Sequence, residues 1–413
     1  MVGQLARVDT GDGMTPIASD NPVRRLLGRP LRLGIIGGGS GSFIGQIHRS
    51  SAVLDGRFEV VAGVFSSQAE RSAAFGAEIG LQAGRGYGSV EQMITVEAER
   101  SAGDGIEAVA VMTPNDRHFP ECSAALSAGL HVICDKPMTH TVAQARALVD
   151  LVESTQKAFC LTYNYSAYPM VRQARAMVAA GVLGDIRIVQ TEYFQSGMAA
   201  AVEDAALTAK LRWKLDASRV GPSLVMGDIG SHAHHLACFV SGATVVSVAA
   251  DIGAVVPGRS FDDYAAMLWR FDNGARGSCV VTQAAAGAEN NLTLRIYGER
   301  GMLEWQHRSP NYLHHAAQGE SMRILGRGDA DLDPAAARVC RIARGHPEGF
   351  RETFATLYAD FAETIAARQT AAEPDPLSAW YPGVKDGLLS ACFIEAALLS
   401  SQNAGGWTDC AVA

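Results

Sequence analysis

No stretch of this chain reaches the ~18 consecutive uncharged apolar residues that a membrane-spanning helix needs. No GxxxxGK[ST] motif is present, which argues against a kinase or ATPase of the P-loop kind. Internal repeats and low-complexity tracts are absent. The eight cysteines (Cys122, Cys134, Cys160, Cys238, Cys279, Cys340, Cys392 and Cys410) form no CxxC pair and keep no regular spacing. Most lie among apolar neighbours, as small core residues do, and a reduced, cytoplasmic compartment fits them best. Basic charge is in the minority, with 35 Lys and Arg against 43 Asp and Glu and a net charge of -8. That balance argues against a partner such as duplex nucleic acid. Nor is the chain poor enough in apolar residues to be disordered, since 48% are hydrophobic.

At ~100–200 residues per domain, 413 residues suggest two domains. Residues 1–29 lack periodicity and are read as a loose arm. Arg24-Arg25 there invites comparison with a twin-arginine signal, but the apolar stretch that follows runs directly into a glycine loop and is read as a strand. From Leu31 to Thr162, short apolar strands alternate with helices. The strands are Leu31–Ile36, Phe58–Val64, Ile106–Met112, His131–Cys134 and Ala158–Thr162. Strands that are apolar throughout and alternate with helices imply a doubly wound parallel sheet covered on both faces.

After Tyr163 the rhythm changes. A helix over 169–180 leads into strand-like runs at 186–194, 245–256, 264–271, 275–283 and 292–297, separated by turn signals such as Asp272-Asn273-Gly274. This pattern predicts an α+β domain over 163–413 built on a large, mainly antiparallel sheet. Residues 306–345 read as a polar excursion. Two closing helices, at 347–368 and 383–401, could pack back on the first domain, whose expected limits are 30–162. An open sheet face of this kind needs covering, so a homodimer or homotetramer is expected.

The 43 glycines are numerous, and their most telling cluster is Gly37-Gly38-Gly39-Ser40-Gly41-Ser42-Phe43-Ile44-Gly45. It lies between the first strand and the first helix. Glycines there allow a tight turn and close approach to a pyrophosphate, whose charge meets the helix N-terminus. Gly37, Gly39, Ser40, Ser42, Phe43 and Ile44 are therefore candidate dinucleotide contacts. The third glycine falls at 45, as if about three residues were inserted into a GxGxxG pattern. The second strand ends Val64-Phe65-Ser66-Ser67 without the acid that favours NAD, and Arg71 follows. Ser66, Ser67 and Arg71 can hold a 2′-phosphate, so the cofactor reading admits both NAD and NADP.

The glycine loop, Thr113-Pro114-Asn115 with His118, Asp135-Lys136-Pro137, and Gly227-Asp228-Ile229-Gly230-Ser231-His232 together resemble the Gfo/Idh/MocA oxidoreductases. The resemblance spans nearly all of 31–401. It implies an NAD(P)-dependent dehydrogenase or reductase acting on CH–OH groups of a sugar, cyclitol or related polyol, with Thr113, Pro114, Asn115, His118, Asp135 and Lys136 beside the cofactor. Lys136 follows a strand's C-terminal end, where open α/β sheets bind ligands, and can stabilise charge on a reacting oxygen. Asp228 and His232, spaced i, i+4, share a helix face, and the histidine can take a hydroxyl proton. The same resemblance suggests Asn164, Tyr165, Tyr168 and Arg172 as substrate contacts. The plain alternatives are interface packing for the tyrosines and a solvated charge for Arg172. Trp213 and Lys214 sit where relatives often have Trp-Arg, and His235 lies one turn beyond His232. A zinc site on Asp228, His232 and His235 is disfavoured, because hydride transfer needs no metal and no fourth ligand is evident. Two rivals are a redox-assisted NAD-dependent glycosidase of the same family and a non-catalytic dinucleotide sensor. The intact Lys136, Asp228 and His232 speak against the sensor.

Overall fold

The computed structural model of the protein describes residues 21–100, 103–200 and 216–411. Helix α1 (Pro22–Leu27) opens them. Asn21 caps it by accepting from the backbone N–H groups of Val23 and Arg24, and Val23 is fully buried. The loose arm expected as far as residue 29 therefore gives way to an anchored helix from Pro22.

There follow β1 (Leu31–Gly37), α2 (Phe43–Ala52), β2 (Phe58–Val64), α3 (Ala69–Glu78), α4 (Val90–Glu99), β3 (Ala108–Met112), α5 (Asn115–Ser127), β4 (His131–Cys134), α6 (Val142–Thr155) and β5 (Phe159–Leu161). The five strands form a parallel sheet in the order β2-β1-β3-β4-β5. Chain order reverses between β1 and β3. The loops leaving these two strands open a crevice at the carboxyl edge, the usual ligand position in such sheets. Helix α4 carries no strong apolar stripe and escapes the sequence reading.

The second half begins with α7 (Pro169–Ala179) and β6 (Ile186–Gln195). It continues through α8 (Ala217–Val220), a π-helical turn (Met226–Gly230) and α9 (Ser231–Ser241). Strands β7 (Val245–Gly253), β8 (Tyr264–Phe271), β9 (Arg276–Thr282), β10 (Asn290–Gly298), β11 (Gly301–Gln306), β12 (Tyr312–Ala317) and β13 (Arg323–Gly326) come next. The chain closes with α10 (Pro334–Ala337), α11 (Phe350–Thr370), α12 (Val384–Gln402) and β14 (Thr408–Asp409). The nine strands run β13-β12-β11-β10-β6-β9-β8-β7-β14. Every neighbouring pair is antiparallel except β6 and β9, which are parallel. The supposed polar excursion over 306–345 thus contains the two outermost strands on one side of the sheet, β12 and β13, and a short helix. The strands' alternation is weak because one face is open: Leu313 is fully buried, whereas Tyr312 and Ile324 are exposed.

The two closing helices join the halves. Leu357, Phe361 and Ile365 of α11 pack with Leu31, Leu33 and Ile35 of β1 on one face of the parallel sheet. Val384, Leu388 and Cys392 of α12 complete the cluster on the other. Each large side chain so buried contributes about 1.5–3 kcal/mol. The crevice between the halves is held open by a packed frame.

Candidate active site

A single cavity of about 1310 Å³ runs from the glycine loop to the wall of the large sheet. It exceeds the ~300–1,000 Å³ of an ordinary small-ligand pocket, and leaves room for a dinucleotide together with a small substrate.

Its first wall is the turn from β1 to α2. Gly38 has φ 64°, a left-handed conformation natural to glycine. A β-carbon on Gly45 would overlap the Gly38 carbonyl oxygen, and one on Gly39 would overlap the Phe65 carbonyl oxygen. The displaced third glycine therefore still does the work of close helix-to-loop packing. The extra residues bulge outward, with Ser40 and Phe43 exposed. The Phe43 ring stacks on Phe350 at the start of α11, with centroids 6.3 Å apart. Ser42 caps α2 by accepting from Gly45 N–H at 3.1 Å, and Arg49 donates to the Gly38 carbonyl. Gly37, Gly39, Ser40, Ser42, Phe43 and Ile44 all line the cavity. Gly45→Ala should raise the KM for dinucleotide by at least ~10-fold, because the loop must shift, and overpacking should cost ~1–3 kcal/mol of stability. Titration of the cofactor and a thermal melt check both.

Further along, Ser66, Ser67 and Arg71 border the same cavity at the end of β2. Ser66 Oγ accepts from Gln68 N–H and keeps its own proton to donate. Thr113, Pro114 and Asn115 line the exit of β3. Thr113 Oγ1 donates to Glu121 at 2.5 Å, and Asn115 Nδ2 donates to the Val220 carbonyl at 2.9 Å, which ties α8 to α5. Burial holds the Glu121 carboxyl above its usual range. His118 is buried between the carbonyl oxygens of Pro137 and Thr113, at 2.8 and 2.9 Å. It pins the two loops that border the cavity.

The chemical end lies where β4 stops. One Asp135 oxygen accepts from Lys136 N–H and from Thr162 Oγ1, so this carboxylate braces the loop while lining the cavity. The Lys136–Pro137 peptide is cis. Lys136 Nζ donates to Asp228 Oδ1 at 2.8 Å and to the Asp228 backbone carbonyl at 2.6 Å. That carbonyl belongs to the π turn Met226–Gly230. A π turn interrupts the i→i+4 ladder and recurs at functional sites. Asp228 and His232 are thus joined through a widened turn rather than the plain helix expected from their spacing. Asp262 secures the turn's approach by accepting from the N–H groups of Leu224 and Val225 and from Ser223 Oγ.

His232 is packed against Tyr163 and Tyr165, with ring centroids 5.5 and 4.9 Å away. Burial, and after it the nearby Lys136 charge, hold this imidazole well below its usual pKa, with Asp228 opposing. Its Nδ1 has no hydrogen-bond partner and is buried. A neutral imidazole here is able to accept a proton.

The large sheet supplies a wall that the sequence did not reveal. Tyr193 and Gln195 at the end of β6, and Asn290 at the start of β10, line the cavity beside Asn164 and Tyr165. The Tyr165 and Tyr193 hydroxyls are 2.5 Å apart. Asn164 Nδ2 donates to Thr353 Oγ1 at 3.1 Å. These polar residues sit on strands far apart in sequence, and only the register Asn290↔Gln195 brings them together.

Three expected substrate residues stand elsewhere. Arg172 is wholly buried and paired with Asp360 of α11 at 2.5 Å, so it is a tie between the halves, not a cavity residue. Tyr168 is buried behind the cavity against Trp305, and its hydroxyl meets His307 Nε2 at 3.1 Å. His235 stacks on Tyr163 at 4.4 Å, with Nε2 3.7 Å from Asp386 and beyond hydrogen-bond reach. Trp213 and Lys214 lie outside the described residues. Among the described residues, no three His, Cys, Asp or Glu side chains cluster as metal ligands would. Arg172→Met should cost about 3 kcal/mol by stranding part of a buried ion pair. It should leave the KM for substrate unchanged, which denaturation and steady-state kinetics will separate.

A parallel sheet with a glycine turn at its switch point, facing a lysine and a histidine, defines a dinucleotide-binding oxidoreductase. Residues 31–163 match the oxidoreductase family with an NAD-binding Rossmann fold, and residues 171–304 match the GFO/IDH/MocA C-terminal domain. The chain belongs to the Gfo/Idh/MocA family and is an NAD(P)-dependent oxidoreductase. It is 34% identical to the uncharacterized oxidoreductase YfiI of Bacillus subtilis, over 93% of this chain and 98% of that protein. A crystal structure of an oxidoreductase from Sinorhizobium meliloti is 42% identical, with TM-score 0.82, covering 92% of this chain and 99% of that one. An inositol dehydrogenase homolog from Azotobacter vinelandii, complexed with NADH and myo-inositol, is 34% identical with TM-score 0.85, covering 93% and 98%.

Proposed function

We propose that the protein oxidises a secondary alcohol of a neutral sugar or cyclitol, or reduces the matching ketone. The observation that carries this reading is the joint presence, at one end of the cavity, of the Lys136–Asp228 pair, the buried His232 and a wall of neutral hydroxyl and amide groups. Such a wall suits a ligand with many hydroxyls. The bound myo-inositol of the Azotobacter relative supports the same class.

The cavity's size and its glycine turn fit a dinucleotide. Gly37, Gly39, Ser40, Ser42, Phe43 and Ile44 would hold its pyrophosphate end. Ser66, Ser67 and Arg71 would meet a ribose, and Thr113, Pro114 and Asn115 would border the ring toward Lys136. Bound NAD(P) supplies the two-electron acceptor, so that the alcohol carbon loses a hydride and becomes a ketone carbon. His232 takes the hydroxyl proton. Lys136 donates to the same oxygen and offsets its growing negative charge. Asp228 keeps the ammonium aimed. In the reverse direction His232 returns the proton.

A panel of sugars and cyclitols, run with NAD and with NADP in parallel and read by the absorbance of reduced nicotinamide, tests the proposal. Reduction with at least one neutral polyol is expected. Turnover of a glycoside without net reduction would point instead to the redox-assisted glycosidase, and dinucleotide binding without any reaction to a sensor. Leu268 of β8 and Ile324 of β13 are exposed on the large sheet, which supports the expected homodimer or homotetramer; sedimentation of the purified chain checks this.

A further inference from the structure

We propose that Gln283 is a positioning residue for the reaction: it holds Asp228, which holds Lys136, and it sets the direction of the hydrogen bonds along the polar wall. The inference rests on the functional reading of Lys136 and Asp228 given above.

Gln283 follows β9 directly and is only 5% exposed. Its backbone N–H is anchored on the Asp263 carbonyl at 3.0 Å. The side-chain nitrogen donates to Asp228 Oδ2 at 2.8 Å and to Gln195 Oε1 at 3.1 Å. Lys136 takes the other Asp228 oxygen. The carboxylate is therefore gripped at both oxygens by groups from two different sheets.

The charge on Asp228 dictates what comes next. An ionised carboxylate only accepts, so Gln283 must present its NH₂ and not its oxygen. Gln195 must then present its oxygen to Gln283. Its own nitrogen is left to donate, and it does so to Asn290 Oδ1 at 2.8 Å and to the Tyr193 hydroxyl at 3.1 Å. Tyr193 in turn meets Tyr165 at 2.5 Å, beside His232. One negative charge thus orients three amides and reaches a tyrosine pair at the cavity wall. Linked hydrogen bonds of this kind polarise one another. Gln283 does not itself line the cavity. Its effect passes through its neighbours.

The test uses Gln283→Leu, Gln283→Glu and Lys136→Met in the full chain. Activity is followed against pH with the polyol that gives the highest rate. Gln283→Leu should lower kcat by ~10–100-fold, the usual effect of losing a group that orients an active-site ligand, while the KM for dinucleotide holds. Gln283→Glu is nearly isosteric. Burial beside Asp228 raises the pKa of the new carboxyl, so at alkaline pH it ionises, opposes Asp228 and activity falls. Toward neutral pH it protonates, donates an O–H to Asp228 Oδ2 and activity recovers, whereas the unaltered enzyme does not gain activity as pH drops over that range. A residue that merely fills space would not invert the profile. As a readout free of turnover, lysine side chains labelled with carbon-13 at the ε-carbon, their ammonium groups unmodified, are compared by NMR. Gln283→Leu should displace the Lys136 resonance and leave those of Lys157 and Lys385 in place. Parallel pH profiles for Gln283→Glu and the unaltered enzyme, or an unmoved Lys136 resonance, would overturn the proposal. Full activity in Lys136→Met would instead overturn the reading of the site on which it stands.

Discussion

Lys136→Met is expected to lower kcat/KM by ~10²–10³-fold, the scale of one lost donor to a developing oxyanion, with the fold and dinucleotide affinity retained. Asp228 keeps Gln283 as a donor, so the variant does not leave that carboxylate bare. His232→Asn is expected to cost ~10²–10⁴-fold, the range of a lost general base. If both groups act on one oxygen as proposed, the double variant should lose little more than the worse single one. The pH dependence sharpens this. His232 is held well below the ordinary imidazole value by burial and by Lys136. It stays neutral, and competent as a base, through the range where a free histidine would protonate. Alcohol oxidation should therefore persist at pH 6 and fall only at lower pH. An acid limb centred on the ordinary value of about 6.5 would count against His232 as the base. On the proposed mechanism a weak base would suffice, because the Lys136 charge that depresses the imidazole would also acidify the alcohol.

Mild acid is expected to unfold the protein before its exposed carboxylates titrate. Burial holds His48 and His131 at about 4, and His234 and His235 at about 3. Geometry agrees: the Ala158 N–H donates to His131 Nδ1 at 3.0 Å, which requires a lone pair there, and His234 lies stacked on Phe393 at 4.2 Å. In the unfolded chain each takes a proton near 6.5. Below that pH the unfolded state binds more protons, and stability falls by up to ~1.4 kcal/mol per pH unit for each histidine. The loss stops once the folded imidazoles protonate as well, near pH 4 for the first pair and pH 3 for the second. With His232 included, unfolding at pH 5.5 should take up about four to five protons, a fraction offset by Glu121 and Asp386, whose raised values work in the opposite sense. Between pH 6.5 and 5 the loss is ~6–8 kcal/mol, comparable with the whole stability of many domains. Denaturant unfolding at several pH values measures this slope, and His234→Phe should reduce the uptake by about one proton. A stability that is flat from pH 7 to 5 would contradict it.

Much of the site was legible because its chemistry is local. The glycine turn, Asp135-Lys136 and Asp228…His232 each lie within a few residues of one another, at strand ends or on one helical turn. Strand and turn chemistry place the glycine turn and Lys136 at one sheet edge, and the family resemblance singled out Asp228 and His232 as their companions. The same periodicity gave the parallel sheet its five strands, since each strand is apolar throughout. The polar wall was not legible. Tyr193, Gln195, Gln283 and Asn290 carry no motif, and they converge only through strand pairing and a parallel β6–β9 contact. A polar residue at a strand end looks alike whether it faces solvent or a cavity.

Sequence alone therefore pointed to the class of fold and the glycine turn and, through the family resemblance, to Lys136, Asp228 and His232 as the candidate reacting groups. The tertiary structure decided which polar residues line the cavity and which serve the core. Arg172 illustrates the reason. Its partner Asp360 lies far along the chain on α11, and a buried charge is stable only beside such a partner. No local pattern encodes that pairing. The inserted glycine loop divides in the same way: its composition marked a phosphate turn, but packing of Gly45 on Gly38, and of Phe43 on Phe350, settled where the extra residues go.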